Sequence, residues 1–155
     1  MTHHSIGSDL EASLARAGYL RLVGVDEAGR GPGAGPVVAA ALSFAPGDTI
    51  PGVHDSKILS AVQREALDLE IRARALGLGV ASISPGTIDR VNIREATKMA
   101  MGLAIRNCLR SLAGDGLPVE SEISPAHGAR DTADFSRKPD LIIIDGDFVP
   151  GAGVG

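Results

Sequence analysis

The feature that most constrains this chain is an apolar run that ends abruptly in two acids and a glycine–proline turn. Leu20-Arg-Leu-Val-Gly-Val25 has the short, β-branched character of a strand, and it enters Asp26-Glu-Ala-Gly-Arg-Gly-Pro-Gly-Ala-Gly-Pro36 directly. A second apolar run, Val37 to Phe44, follows at once. A connection so short and so rich in glycine and proline predicts that the two strands pair as antiparallel neighbours. Carboxylates set beside a poorly hydrated core are costly unless something neutralises them.

The remaining pattern gives a mixed α/β chain. Residues 1–19 read as an arm or short helix. Ser60 and Gln63 fit a capping box, and Val62, Ala66, Leu69, Ala73 and Leu76 then form one apolar helical stripe. Arg64, Glu65, Asp68, Arg72 and Arg74 fall largely on the other side, with Gly77 suited to the helix C′ position. Leu78 to Ser84 alternates as a strand does, and Ser84-Pro85 has the form of an N-cap followed by an N1 proline. A longer helix is expected over Val91 to Leu112, packing Ile93, Thr97, Ala100, Met101, Ala104, Cys108 and Leu112 on the sheet. Gly114 to Pro139 has no periodicity and reads as a flexible insertion. Leu141-Ile-Ile-Ile144 is a fully apolar strand that ends at Asp145. If it lies parallel to the first strand at the centre of the sheet, Asp26 and Asp145 emerge at one carboxyl edge, where open α/β sheets hold ligands.

Composition narrows the classes. A chain of 155 residues with 44% hydrophobic and 22% charged residues is a single globular domain. No apolar run is long enough to span a membrane, and residues 1–9 do not have the pattern of a secretory signal. One cysteine, Cys108, excludes an internal disulfide and suits a reducing, cytoplasmic setting. The net charge of −4 announces no nucleic acid, and with no Trp, one Tyr and three Phe a stacked single-strand platform is a poor fit. His3, His4, His54 and His127 read as solvated residues.

Asp26, Glu27 and Asp145 suit a hard cation, Mg²⁺ or Mn²⁺, held through oxygen. Two such ions about 4 Å apart activate a water and stabilise the leaving oxygen of a phosphodiester. Acids after a strand are equally read as solvated turn residues. Neighbours on a strand also point to opposite faces, so Asp26 and Glu27 converge only if the strand ends or bulges there. Gly29-Arg30-Gly31 lets backbone approach a polymer, with Arg30 placed to meet a phosphate, but it also reads as a plain tight turn. Gly29-x-Gly31-x-x-Ala34 matches a loose dinucleotide fingerprint as well, which requires a helix to begin near Ala34.

Four stretches in order, VGVDEAGRGPGAGPVVAAAL (23–42), DSKILS (55–60), IDRVNIREATKMAMGLA (88–104) and IIIDGD (142–147), resemble ribonuclease HII, the type 2 ribonuclease H family. The resemblance implies a ribonuclease H-like fold, a mixed β-sheet with flanking helices. It also implies endonucleolytic hydrolysis of the RNA strand of RNA–DNA hybrids, including single ribonucleotides embedded in duplex DNA. The reaction would leave a 5′-phosphomonoester and use two divalent ions, Mn²⁺ or Mg²⁺. By the same resemblance Asp26, Glu27 and Asp145 are metal-binding catalytic acids. Gly29, Arg30 and Gly31 form the turn that reads the 2′-hydroxyl, Lys57 lies near substrate phosphates, and Asp55, Ser56, Asn92 and Thr97 support the site.

Gly33 replaces a bulkier apolar residue of the family, and the 114–139 insertion is longer than the family's connection. The family's later Lys-Gly-Asp segment, its small-residue helix with a fourth acid, and its junction tyrosine have no counterpart in the sequence. The expectation is therefore an amino-terminal portion of the enzyme, lacking the C-terminal helices, that binds metal at most weakly and cleaves slowly or not at all. The complete enzyme would be a monomer. The rival expectations are a non-catalytic hybrid-binding remnant and a dinucleotide-binding domain.

Overall fold

The computed structural model describes residues 8–29, 35–53, 58–114, 121–122 and 139–144. The elements run α1 (Ser8–Arg16), β1 (Leu22–Ala28), β2 (Val37–Ser43), α2 (Ala61–Arg74), β3 (Gly77–Ile83), α3 (Pro85–Val91), α4 (Ile93–Ala113), β4 (Ser121–Glu122) and β5 (Leu141–Ile144). The strands form one mixed sheet in the order β4-β3-β2-β1-β5. The β1–β2 and β2–β3 pairs are antiparallel, and β1–β5 and β3–β4 are parallel.

The expected hairpin is present, but β1 runs three residues further than its apolar stretch. The ladder to β2 continues unbroken through Asp26↔Ala40, Glu27↔Ala39 and Ala28↔Val38. The small alanines of β2 leave room for this, and backbone pairing overrides the low β-propensity of Asp and Glu. The β2 strand starts at Val37, where the dinucleotide fingerprint requires the first turns of a helix, and that reading is overturned. The β5 strand is parallel to β1 as expected, but among the described residues it forms the edge of the sheet and not its centre.

One face of the sheet packs on α4. Val23, Val25, Val37, Ala39, Ala41, Ala81 and Ile83 meet Ala96, Ala100, Met101, Ala104 and Cys108, and Ile144 joins them from β5. The expected apolar face of α4 is thus the packed face, though Ile93 at its first turn stays partly exposed. Close approach rests on glycine. A Cβ at Gly79 would overlap the carbonyl oxygen of Ala104, the amide nitrogen of Cys108 and the Cβ of Asn107. Asn107 Nδ2 donates to Val80 O at 3.0 Å, so the one buried amide on this helix face is satisfied. Burial pushes the Cys108 thiol up to about 12, which keeps it protonated and unreactive at neutral pH.

The helix expected over Val91 to Leu112 is two helices. Asn92 ends α3 and caps α4, at φ 73° and ψ 163°. Its N–H donates to Ile88 O at 2.8 Å, and its Oδ1 accepts from Glu95 N at 3.1 Å. That backbone region is nearly confined to glycine and costs about 1–3 kcal/mol. An Asn cap returns about 1 kcal/mol of it.

The capping box of α2 is formed: Gln63 N donates to Ser60 Oγ at 3.3 Å, and Ser60 N donates to Gln63 Oε1 at 2.9 Å. The orientation of the helix is not the expected one. Val62, Ala66, Leu69 and Ala73 are exposed, Leu76 lies beyond the helix end, and no α2 residue is fully buried. Leu67, Glu70, Ile71 and Arg74 are the half-buried side. Arg74 donates to Asp48 and, at 3.0 Å, to Glu70, while Leu76 N donates to Ser43 O at 2.8 Å. Gly77 is not a helix C′ residue; it opens β3 against Leu112 and Cys108. Within the expected insertion, Ser121–Glu122 form the short edge strand β4, and the rest of it lies outside the described residues except its two ends, Gly114 and Pro139.

The parallel β1–β5 pair is fastened at its entry by one carboxylate. Asp140 Oδ2 accepts from Leu20 N at 2.8 Å and from Arg21 N at 2.9 Å, and Oδ1 accepts from Arg21 Nη2 at 3.1 Å. These donors hold the Asp140 carboxyl below its usual range, with the two backbone N–H groups contributing most.

Two outcomes follow from this packing. Gly79→Ala forces side chain into helix backbone, which cannot step aside, and should destabilise the fold by about 3 kcal/mol in urea unfolding. Asp140 has a depressed native pKa, so its charge stabilises the fold above the unfolded value of about 3.9 and ceases to do so as pH falls through the native value. The urea midpoint of the native chain should therefore exceed that of Asp140→Asn at pH ~6, and the gap should close toward pH ~2.

Candidate active site at the carboxyl edge of the sheet

Register brings three features to one edge. The β1–β5 pairs are Leu22↔Leu141, Val23↔Ile142, Gly24↔Ile143 and Val25↔Ile144. Asp26 follows Val25 and Asp145 follows Ile144, each one covalent step beyond the last shared pair. Asp145 itself lies outside the described residues. The α4 helix runs antiparallel to β3, because Gly77 faces Leu112 and Cys108 while Gly79 faces Ala104 and Cys108. Its first turn therefore reaches the Ile83 end of β3, which pairs with Val37 at the start of β2. That is the edge where β1 ends, so the positive end of the α4 dipole sits on the carboxylate side of the sheet.

Asp26 and Glu27 do not share a face. No bulge interrupts β1, so Glu27 lies on the α4 side with Val23 and Val25 and is half-buried. Asp26 lies on the opposite side and is exposed. Its Oδ1 accepts from Glu27 N at 2.7 Å, turning the carboxylate toward the end of the strand. Among the described residues no group of three or more His, Cys, Asp or Glu is arranged to hold a metal ion. The two acids offer hard oxygen donors of the type that Mg²⁺ and Mn²⁺ take, yet they supply two positions of a larger set. Asp145, the third acid of the expected set, follows the last residue of β5 in the sequence.

Gly29 has φ +90°, and a Cβ there would lie 2.5 Å from Pro36 O. The chain can leave β1 and pass this close to the start of β2 only with glycine. Arg30 and Gly31 lie outside the described residues, as do Asp55, Ser56 and Lys57. Asn92 stands at the α3–α4 junction on the same edge, with its side chain engaged in the cap. Thr97 is buried one turn further on, and its hydroxyl donates to Ile93 O at 2.8 Å. Both side chains therefore have structural partners within their own helix.

Sequence reasoning missed Asp140 and Arg21. Both sit at strand entries, but their contact spans 119 residues, so no local spacing could reveal it. The only signal was a charge placed immediately before each apolar run.

The Ribonuclease HII family model matches residues 23–113. The Ribonuclease HII of Geobacter sp. (strain M21) is 50% identical over 97 residues, covering 63% of this chain and 42% of the relative. That of Bacillus thuringiensis (strain Al Hakam) is 48% identical over 100 residues, covering 64% and 39%. The chain thus spans about two fifths of the length of the curated relatives it matches. Among solved structures, Bst-RNase HIII in complex with Mn²⁺ superposes with a TM-score of 0.53 at 26% identity, over 96% of this chain and 43% of that one. A sheet with Asp26 and Glu27 at the end of β1, a glycine-dependent exit at Gly29 and a family match across β1 to α4 leads to one assignment: this chain belongs to the Ribonuclease HII family.

Proposed function

We propose that this chain carries the Asp26, Glu27 and Asp145 portion of a two-metal site that hydrolyses the RNA strand of RNA–DNA hybrids, including single ribonucleotides in duplex DNA. The observation that supports the reading is the parallel register Val25↔Ile144, because Asp26 follows Val25 and Asp145 follows Ile144 in the sequence. A bound Mn²⁺ or Mg²⁺ pair would supply an activated water and stabilise the leaving 3′ oxygen, giving a 5′-phosphate product. The chain's own part is to hold hard oxygen donors at the sheet edge and to exclude other geometries. Asp26 and Glu27, on opposite faces of β1, bracket the strand end and suit two neighbouring ions better than one shared ion. Gly29, Arg30 and Gly31 form the turn against which the ribose lies. There a 2′-hydroxyl is the group that separates RNA from DNA. Arg30 and Lys57 supply charge for phosphates. Asp55, Ser56, Asn92 and Thr97 position these groups without touching the reacting atoms.

A second reading, hybrid binding without hydrolysis, is favoured by the opposed faces of Asp26 and Glu27 on an unbulged β1, which keep the two carboxylates from converging on one ion. The two readings separate on one substrate. With a duplex bearing one ribonucleotide and Mn²⁺, the first expects slow cleavage 5′ to the ribonucleotide, reduced about a hundredfold or more in Asp26→Asn, Glu27→Gln and Asp145→Asn. Absence of cleavage together with hybrid binding that needs no metal and survives all three substitutions would establish the second reading.

A further inference from the structure

The α2 helix presents its apolar stripe away from the body of the protein. Val62 is 74% exposed and Leu69 71% exposed, and Ala66 and Ala73 are exposed beside them. This is not fraying, because both ends are fastened. The capping box closes the first turn, and Arg64 Nη1 donates to Leu59 O at 2.6 Å. At the other end Arg74 is held by Asp48 and Glu70, and Leu76 N bonds Ser43 O. The stripe is therefore held outward in a fixed orientation.

Its spacing is that of a helix–helix seam. Val62, Ala66, Leu69 and Ala73 are separated by four, three and four residues, the alternation that keeps d and a positions on one line. Large and small residues alternate along it. In an antiparallel pair centred on the middle of α2, Val62 meets the Ala73 position of the second helix and Ala66 meets the Leu69 position. Each large side chain then faces a small one, and the helices can approach closely.

The flanking charges choose the partner and the direction. Glu65 and Arg72 both occupy g positions of this seam, and Glu70 occupies an e position. In an antiparallel pair of identical helices, g positions face g positions, so Glu65 of each copy meets Arg72 of the other and two opposite-charge pairs form. In a parallel pair Glu65 faces Glu70 twice, which is repulsive. Arg72 already bonds Asp68 at 2.8 Å within its own helix, and this exposed pair can share its guanidinium at little cost.

We propose that a second copy of this chain docks on α2, the two helices packing antiparallel about a two-fold axis along Val62, Ala66, Leu69 and Ala73. The contact is isologous, so it closes as a dimer and leaves no surface for further growth. A seam this short belongs to the small, transient interfaces below about 1,200 Å², so the dimer dissociates on dilution. The proposal does not depend on the nuclease reading.

Sedimentation equilibrium of the 155-residue chain from ~10 µM to ~1 mM tests it. The average mass should climb from 15.8 kDa toward twice that value. Leu69→Glu should remain monomeric with an unchanged circular dichroism spectrum, since this position is exposed. Glu65→Arg and Arg72→Glu should each weaken association about tenfold, and the double reversal should restore it. A monomer throughout, a dimer indifferent to the reversals, single losses that the double variant does not recover, or assembly beyond two copies would each overturn it.

Discussion

The parallel pairing of β1 with β5 is the constraint on which the rest of the structure depends. It joins segments about 120 residues apart, and such a contact must offset the entropy of closing a long loop. Four apolar pairs contribute burial, but burial alone does not fix register between runs as uniform as Leu-Val-Gly-Val and Leu-Ile-Ile-Ile. The carboxylate of Asp140 does. It accepts two consecutive backbone N–H groups and the Arg21 guanidinium, an arrangement that a slip by one residue would dissolve. A slip would also turn Ile144 from the α4 face to the other face. The polar clamp at the entry of the strands and the apolar preference at their exit thus select the same register, which ends at Val25↔Ile144.

The α4 helix supplies the second fixed coordinate. Its distance from the sheet is set by Gly77 and Gly79, where any side chain would enter helix backbone or the Leu112 side chain. Its start is set by Asn92, which accepts an unfavourable backbone conformation to end one helix and cap the next. The cost of that conformation and the gain from the cap are of similar size, so the junction adds little stability of its own. What it adds is position: α3 turns away, and the first turn of α4 stands at the carboxyl edge. Glycines at one end and a strained asparagine at the other hold the helix dipole toward the carboxylates.

Much of this was legible in the sequence where the signal is local. The antiparallel hairpin, the Ser60–Gln63 box, the Ser84-Pro85 helix start and the packed face of α4 are short-range patterns, and each is present. The continuation of β1 through Asp26, Glu27 and Ala28 was not legible, because acids before a glycine-rich turn look like turn residues. The alanines that allow the ladder to continue belong to the next strand. The break at Asn92 was hidden for a similar reason, since the helical pattern is apolar on both sides of it. For the site, the residue types at the strand ends were readable, as was the need for glycine at Gly29. The opposed faces of Asp26 and Glu27 were foreseen only conditionally, because they depend on whether the strand bulges.

The inverted orientation of α2 shows what periodicity can and cannot specify. A stripe at helical spacing establishes that a helix has an apolar face, not that this face turns inward. Burying side chains such as Val62 and Leu69 would gain about 1.5–3 kcal/mol each. Turning the helix to do so would release Arg74 from Asp48, carry Leu67 and Ile71 out to solvent and bring Glu65 and Arg72, which flank the stripe, nearer the sheet, where desolvating even one unpaired charge costs several kcal/mol. Leu67 and Ile71 already give the inner side enough apolar surface to rest on. The observed orientation therefore keeps the ion pairs hydrated or satisfied and leaves the better apolar stripe outside. A stripe left outside for that reason stays available to any surface that can cover it without stripping water from charge.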